Sequence, residues 1–156
     1  MKRIVVAAAL AAVLALTGSM TGDAVLRAQP SRLISQDHGH VALGLAIRRL
    51  NSIGSFLQVT AHPDDETNHI FAMLSRGQGM RVALITTTRG NGGQNEIGPE
   101  LFEDLAVVRT SELLAAHRID GADQYFGRAV DFGYSFSTEE TFRKWGRDEI
   151  LADIGL

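Results

Sequence analysis

A histidine and three acids follow a predicted strand directly. The stretch FLQVTAHPDDETNHIFAML, residues 56–74, places His62, Asp64, Asp65 and Glu66 after a short apolar run. In open parallel sheets, ligands bind outside the carboxyl ends of the strands, so this position suits a site. Imidazole and carboxylate at i and i+3 across a turn, as in His62 and Asp65, are a ligand pair suited to Zn²⁺. The neighbouring Asp64 would then be available to take a proton from an activated water.

Two other interpretations of the paired acids stay open. Asp64 or Asp65 could cap the helix that follows, by accepting hydrogen bonds from its first N–H groups and complementing its dipole. Adjacent acids after a first strand also occur in the phosphoacceptor pocket of receiver domains, which bind Mg²⁺ through oxygen ligands. His62 and Pro63 do not belong in such a pocket, which favours the other two interpretations.

The segments around this cluster alternate between strand and helix patterns. Short β-branched or aromatic runs predict strands, and a 3.6-residue apolar period predicts helices. The predicted strands are residues 55–61, 81–88 and 123–130, and the predicted helices are 41–50, 66–76, 104–119 and 137–150, the last with Gly146 as a point of interruption. The alternation predicts an α/β, Rossmann-like three-layer fold with a mainly parallel sheet. Three strands are few for such a sheet and the sequence stops after a helix, so we expect an incomplete fold whose C-terminal strands are missing.

The first residues have the composition of a secretory signal peptide. Lys2 and Arg3 precede an uncharged apolar stretch at residues 4–20, and a polar segment ends in Ala28. We therefore expect a signal peptide at residues 1–28, a helical lead-in at 29–50 and the main domain at 51–156. The protein is then secreted or periplasmic, with no stable membrane span after cleavage. An uncleaved membrane anchor is the alternative interpretation of the same stretch.

Composition excludes some functions and narrows others. The 156 residues carry a net charge of −3 and no run of Lys or Arg in the body of the chain, so a nucleic-acid partner is not expected. The chain has no cysteine, so any metal must be held by His, Asp or Glu. Nothing in the composition constrains the oligomeric state.

Three motifs together resemble one enzyme family. AHPDDE at residues 61–66, TTTRGNGGQNEIGPE at 86–100 and VVRTSELLAAHRIDGAD at 107–123 are similar to motifs of the PIG-L/LmbE family, closest to its secreted bacterial branch. The resemblance implies a zinc-dependent N-deacetylase that removes acetyl groups from N-acetylglucosamine-like or related amines. By position, it implies that His62 and Asp65 are zinc ligands, that Asp64 is the general base and that Arg109 helps to hold the substrate.

The chain departs from the family in its histidines. Relatives supply a third zinc ligand and an assisting acid from histidines in a later loop, whereas no histidine follows His117 here. We expect the third ligand from a histidine beyond the end of this chain, and weak or no activity from the chain alone. His38, His40, His69 and His117 are expected at the surface or in packing. The alternative function is a noncatalytic sugar- or ligand-binding module with a degenerate site.

Two of these assignments have simpler alternatives. Arg109 and Glu112 stand at i and i+3, so they could form an ion pair on the surface of their helix. The glycines of the loop at residues 89–103 invite a phosphate-cradle interpretation, but no Gly-Lys-Ser/Thr follows them. We expect this loop to line a substrate, with Gln94 or Asn95 bonding sugar hydroxyls, because structureless loops of this length are uncommon unless functional.

Overall fold

The structure, a computed structural model, describes residues 37–93 and 95–155. The predicted signal peptide at residues 1–28 and the predicted sugar contact of Gln94 therefore lie outside the described residues. Within the described ranges, no helix is long and apolar enough to cross a membrane.

Strands and helices alternate along the described residues, as the apolar periods predict. The helix that begins at Asn68 continues after Ala72 as a π-helical turn, Met73–Gly77. The strands are β1 (Ser55–Thr60), β2 (Arg81–Thr86) and β3 (Asp123–Phe126), and the helices are α1 (Gly39–Leu50), α2 (Asn68–Ala72), α3 (Glu103–Asp120), α4 (Thr138–Trp145) and α5 (Arg147–Gly155).

The three strands form one parallel sheet in the order β1-β2-β3. The expectation of an α/β fold with a parallel sheet is confirmed. Helices α2 and α3 pack on one face, where the core joins Phe71 and Leu113 to Val82 and Leu84 of β2. On the other face, Leu57 and Val59 of β1 are exposed. Parallel pairing brings the carboxyl ends of all three strands to the same edge.

Helix α2 begins two residues later than its apolar period predicts, at Asn68 instead of Glu66. Residues 62–66 form a turn in which the Asp65 N–H donates to the carbonyl of His62, and Asp64 adopts a φ of 107° that no helix contains. Thr67 occupies the N-cap position and no side chain caps the helix. The interpretation of the paired acids as helix caps is therefore wrong.

The end of the chain folds close to its prediction. Ser137 caps α4 by accepting the N–H of Glu140, and the Glu140 carboxylate accepts the N–H of Phe136. Gly146, with a φ of 77°, separates α4 from α5 because an L side chain rarely adopts that conformation. Strand β3 is shorter than predicted, and the chain from Gly127 runs on beside the end of β2.

A buried polar network joins α3 to the sheet. Nδ1 of His117 lies 2.9 Å from the Asp120 carboxylate, and its Nε2 lies 2.9 Å from Oε1 of Gln124 on β3. The Gln124 amide donates in turn to Thr86 Oγ1. Both nitrogens of this buried ring have protein partners, so His117 has a packing role, as expected of a histidine on a helix.

Candidate functional site

The loops after the three strands meet at the carboxyl edge of the sheet. The loop after β1 is tied to the end of β2, because the hydroxyls of Thr87 and Thr88 both donate to the carbonyl of Ala61, at 3.1 and 2.9 Å. Thr60 Oγ1 donates to the carbonyl of His62. These contacts hold the backbone immediately before the predicted site residues on a rigid strand end.

Two carboxylates flank the His62 ring on opposite sides. Nδ1 lies 3.4 Å from Asp65 Oδ2, and Nε2 lies 3.4 Å from Oδ1 of Asp131, which follows β3. The Asp131 side chain is only 3% exposed, and its Oδ1 also accepts the N–H of Gly133. Because the two ring nitrogens point in opposite directions, the two carboxylates cannot share one ion with His62.

The distance between His62 and Asp65 can be compared with the distance between two ligands of a zinc ion. Ligands about 2.0–2.2 Å from a tetrahedral zinc are separated from each other by roughly 3.4 Å. The distance between His62 Nδ1 and Asp65 Oδ2, 3.4 Å, is compatible with that value and equally with a direct ion pair. The backbone N–H of His62 also donates to Asp65 Oδ2, at 3.0 Å, and fixes the carboxylate in place. The chemistry and spacing of these two side chains are therefore compatible with two of the four ligands of a zinc ion.

The rest of such a site is not found among the described residues. Within residues 37–93 and 95–155, no three His, Asp or Glu side chains are grouped so that they could hold an ion together. Of the other histidines, His38, His40 and His69 are exposed, and His117 is buried in the network described above. Asp131 lies instead beside the other ring nitrogen of His62, 3.4 Å from Nε2, and a carboxylate in that position is a frequent outer neighbour of a metal-binding histidine.

The Asp64 carboxylate pairs with Arg109. Its Oδ2 lies 2.7 Å from an Arg109 guanidinium nitrogen, which also donates to the carbonyl of Pro63 at 2.7 Å. The second guanidinium nitrogen donates to the carbonyl of Gly90. Arg109 therefore joins the loops after β1 and β2, and its contacts are these rather than a helix-surface pair with Glu112. The Asp64 side chain remains 72% exposed, so solvent and ligands can reach it.

The backbone at Asp64 is strained. A φ of 107° is uncommon for a residue with a side chain and costs about 1–3 kcal/mol. Two contacts hold it there, the Arg109 ion pair and a 2.7 Å hydrogen bond from its own N–H to Glu66 Oε2. Strain that the surroundings maintain in this way is frequent at functional sites.

We predict that Asp64→Gly is more stable than Asp64→Ala by about 1 kcal/mol in free energy of unfolding, because only glycine adopts this φ without strain. Both variants lose the carboxylate, so their difference isolates the backbone. Urea unfolding of the pair measures it. The control pair is Asp148→Gly and Asp148→Ala in helix α5, where alanine should be the more stable by a similar amount. An Asp64→Ala variant at least as stable as Asp64→Gly would contradict the strain.

The glycines after β2 leave room for two charged side chains. A Cβ at Gly93 would stand 2.8 Å from an Arg109 guanidinium nitrogen, and one at Gly90 would meet the same atom. A Cβ at Gly92 would stand 2.8 Å from the carbonyl oxygen of Asp131 and 3.0 Å from its carboxyl carbon. The lack of side chains at these glycines lets Arg109 and Asp131 approach the site. The glycines are therefore explained without a bound phosphate.

We predict that Gly92→Ala lowers zinc affinity about 10–100-fold, because the added methyl group displaces Asp131 from His62. Asp131→Asn should produce a similar loss, and the double variant no further loss, since both changes act on one contact. Competition with a chromophoric chelator measures the affinity. Gly44→Ala on helix α1, where a Cβ meets nothing within 4 Å, is the control and should leave it unchanged. Additive losses in the double variant would contradict the shared contact.

Sequence reasoning missed Asp131. The signal was present, since an acid just after a third parallel strand must lie near the ends of the first two. The predicted strand at residues 123–130 ends directly before Asp131, but nothing in the local pattern pairs that acid with His62. Asn95, proposed as a sugar contact, bonds Glu100 within its own loop and accepts the N–H groups of Ile97 and Gly98.

Comparisons with known proteins give one family and two similar structures. The family model described as PIG-L, GlcNAc-PI de-N-acetylase, matches residues 57–154. No curated protein matches the chain at a significant level. GalB, the 4-carboxy-2-hydroxymuconate hydratase of Pseudomonas putida, is 24% identical with a TM-score of 0.46, over 58% of this chain and 40% of the hydratase.

The second similar structure is the N,N'-diacetylchitobiose deacetylase of Pyrococcus horikoshii, solved with an inhibitor. It is 21% identical with a TM-score of 0.46, over 69% of this chain and 45% of the deacetylase. The matched region spans less than half the length of either protein.

Proposed function

Because the chain belongs to the PIG-L family of de-N-acetylases, we propose that it hydrolyses the N-acetyl amide of an N-acetylglucosamine-like or related amine. In this proposal His62 and Asp65 bind zinc, Asp64 is the general base, and Arg109 holds Asp64 and the substrate. A third protein ligand would come from outside the residues that the structure describes. Export through the signal peptide at residues 1–28 would place the reaction in the periplasm or outside the cell.

The observation that carries the proposal is that the two adjacent acids have different partners. Asp65 lies beside His62, and Asp64 pairs with Arg109 instead. An acid that binds the ion cannot also take a proton from a neighbouring water, so two carboxylates with separate partners suit two separate roles.

Zinc, when bound, would polarise the amide carbonyl and bring the pKa of a water to about 7. Asp64 would take up a proton of the attacking water through Oδ1, the carboxylate oxygen that Arg109 does not contact. The water oxygen forms the new bond to the carbonyl carbon, and the C–N bond breaks. The proton passes to the leaving nitrogen, so that acetate and a free amine are the products.

Arg109 supports this chemistry by position and charge. Its side chain is 17% exposed, and three hydrogen bonds, to Asp64, Pro63 and Gly90, fix its guanidinium plane. Such a group keeps Asp64 in one orientation before the substrate arrives. It also supplies positive charge where negative charge develops on the carbonyl oxygen, which favours the transition state.

A noncatalytic sugar-binding module is the second candidate. It is favoured by one observation, that only two metal ligands are grouped among the described residues. Such a module would bind an N-acetylated sugar and leave it intact.

Proton NMR with N-acetylglucosamine and its glycosides separates the two functions. It uses the protein expressed from its whole reading frame, called the full-length protein below. The deacetylase predicts growth of a free-acetate signal and an equal loss of the acetamide signal, with zinc present. A binding module predicts ligand line broadening with no acetate. Neither broadening nor acetate across the panel would contradict both candidates.

A further inference from the structure

The loop after β2 contains an Asn-Gly pair, Asn91 and Gly92. The chain has four asparagines, and Asn91 is the only one that a glycine follows. Asparagine is a thermolabile residue. It loses its side-chain amide fastest before glycine, because no side chain there shields the backbone nitrogen that attacks the amide carbon. This pair therefore has the sequence at which an asparagine rearranges most readily.

The structure leaves the reacting groups of this pair accessible. Gly92 is exposed and Asn91 is half-buried. Among the described residues, the Gly92 N–H donates to no acceptor, so no hydrogen bond to them has to break before this nitrogen attacks. Asn51 differs in this respect, because the N–H that follows it, that of Ser52, donates to the carbonyl of Arg49 at 3.2 Å.

The side-chain carbonyl of Asn91 has a donor in place. Its Oδ1 accepts the backbone N–H of Asp131 at 3.2 Å. When the Gly92 nitrogen adds to the side-chain carbon, negative charge collects on Oδ1, and a fixed backbone donor at that oxygen stabilises the charge. The contact with Asp131 therefore favours the first step of the rearrangement.

We propose that Asn91 is a site of spontaneous deamidation that changes the surroundings of His62 as the protein ages. The Gly92 N–H loses its proton to hydroxide, its nitrogen bonds to Cγ of Asn91, and the bond from Cγ to Nδ2 breaks with release of ammonia. The succinimide that results takes up one water. Opening at one carbonyl gives aspartate and opening at the other gives isoaspartate, so the reaction needs no co-reactant except water.

Both products alter the contact between the loop and Asp131. Each adds a negative charge beside a carboxylate that is only 3% exposed, and isoaspartate also lengthens the main chain before Gly92. Little space is available there, since a Cβ at Gly92 would stand 2.8 Å from the carbonyl oxygen of Asp131. A displaced Asp131 changes its 3.4 Å contact with Nε2 of His62. The consequence for zinc rests on the proposed function, whereas the deamidation does not.

Mass spectrometry of the aged full-length protein tests the modification. After incubation in warm, mildly alkaline buffer, the tryptic peptide of residues 90–109 should show Asn91 converted to an acid. Ammonia should be released in equal amount, and an isoaspartyl-specific methyltransferase should label the peptide. Asn95 in the same peptide is the control and should keep its amide, because it precedes Glu96 and its Nδ2 donates to Glu100. An Asn91 that keeps its amide as long as Asn95 does would overturn the proposal.

Zinc affinity of the converted protein tests the effect on Asp131. Ion exchange separates converted from native chains by the added charge. The converted protein should bind zinc about 10–100-fold more weakly, the usual loss when an outer neighbour of a metal ligand is disturbed. Asn91→Ser, incubated in the same way, should keep the affinity of its fresh form.

The two measurements separate this proposal from the proposed function. Equal zinc affinity of converted and native protein would overturn the effect on Asp131. Native protein that binds no zinc before incubation would contradict the proposed function, and the peptide masses would still decide whether Asn91 is modified.

Discussion

Replacing Asp64 by asparagine is expected to lower kcat/KM for amide hydrolysis about 10²–10⁴-fold, the usual contribution of a general base. Asparagine has nearly the same shape, and its amide oxygen still accepts a hydrogen bond from Arg109, but it cannot take up a proton. Zinc affinity should stay within a few-fold of the native value, because Asp65 rather than Asp64 faces His62. Acetate release and chelator competition measure the two quantities on the full-length protein.

The control for this variant is Asp148→Asn on helix α5. That carboxylate is 89% exposed and, among the described residues, pairs with Arg147 alone, so its loss should change neither quantity. Turnover by Asp64→Asn at the native rate would remove Asp64 as the base. A large fall in zinc affinity would instead make Asp64 a zinc ligand, which would contradict the roles proposed for the two acids.

Replacing His62 by alanine is expected to weaken zinc binding about 10²–10³-fold and to abolish hydrolysis at ordinary zinc concentrations. Structural zinc sites bind with roughly 10–16 kcal/mol in all, so one ligand of four contributes a few kcal/mol. His69→Ala is the matched control, since that imidazole is exposed on helix α2 seven residues further on. Equal zinc affinity in the two variants would contradict a metal site at His62.

The sheet could be predicted because its signals are local. The runs at Ser55–Thr60 and Arg81–Thr86 are β-branched and too short for helices, and the helix between them has its own apolar period. The pairing of His62 with Asp65 is also local, three residues apart across one turn. For these features, the sequence carries the periods and spacings that determine the geometry.

The remaining parts of the site depend on contacts between distant segments. Asp131 meets His62 across 69 positions because β3 pairs beside β2, and Arg109 meets Asp64 across 45 positions because α3 packs on the sheet. No local pattern encodes either contact. The late start of α2 has a similar origin, since Asp64 keeps its φ of 107° partly through Arg109.

The role of the glycines after β2 also depends on contacts with distant segments. Their spacing alone suggests a phosphate cradle or a substrate rim, whereas the structure shows that Gly92 adjoins Asp131 and that Gly90 and Gly93 adjoin Arg109. The function of a small residue in a loop depends on what occupies the space that it leaves. That space is defined only when the segments have packed together.

Reactivation of the metal-stripped full-length protein tests the central claim most directly. Zinc is added stepwise while acetate release from an N-acetylglucosamine substrate is followed, in the native protein and in His62→Ala. We predict that native activity rises with zinc and saturates at one equivalent per chain, and that His62→Ala stays inactive over the same range. Native hydrolysis that proceeds at full rate without zinc, or full recovery of His62→Ala at one equivalent, would contradict the account.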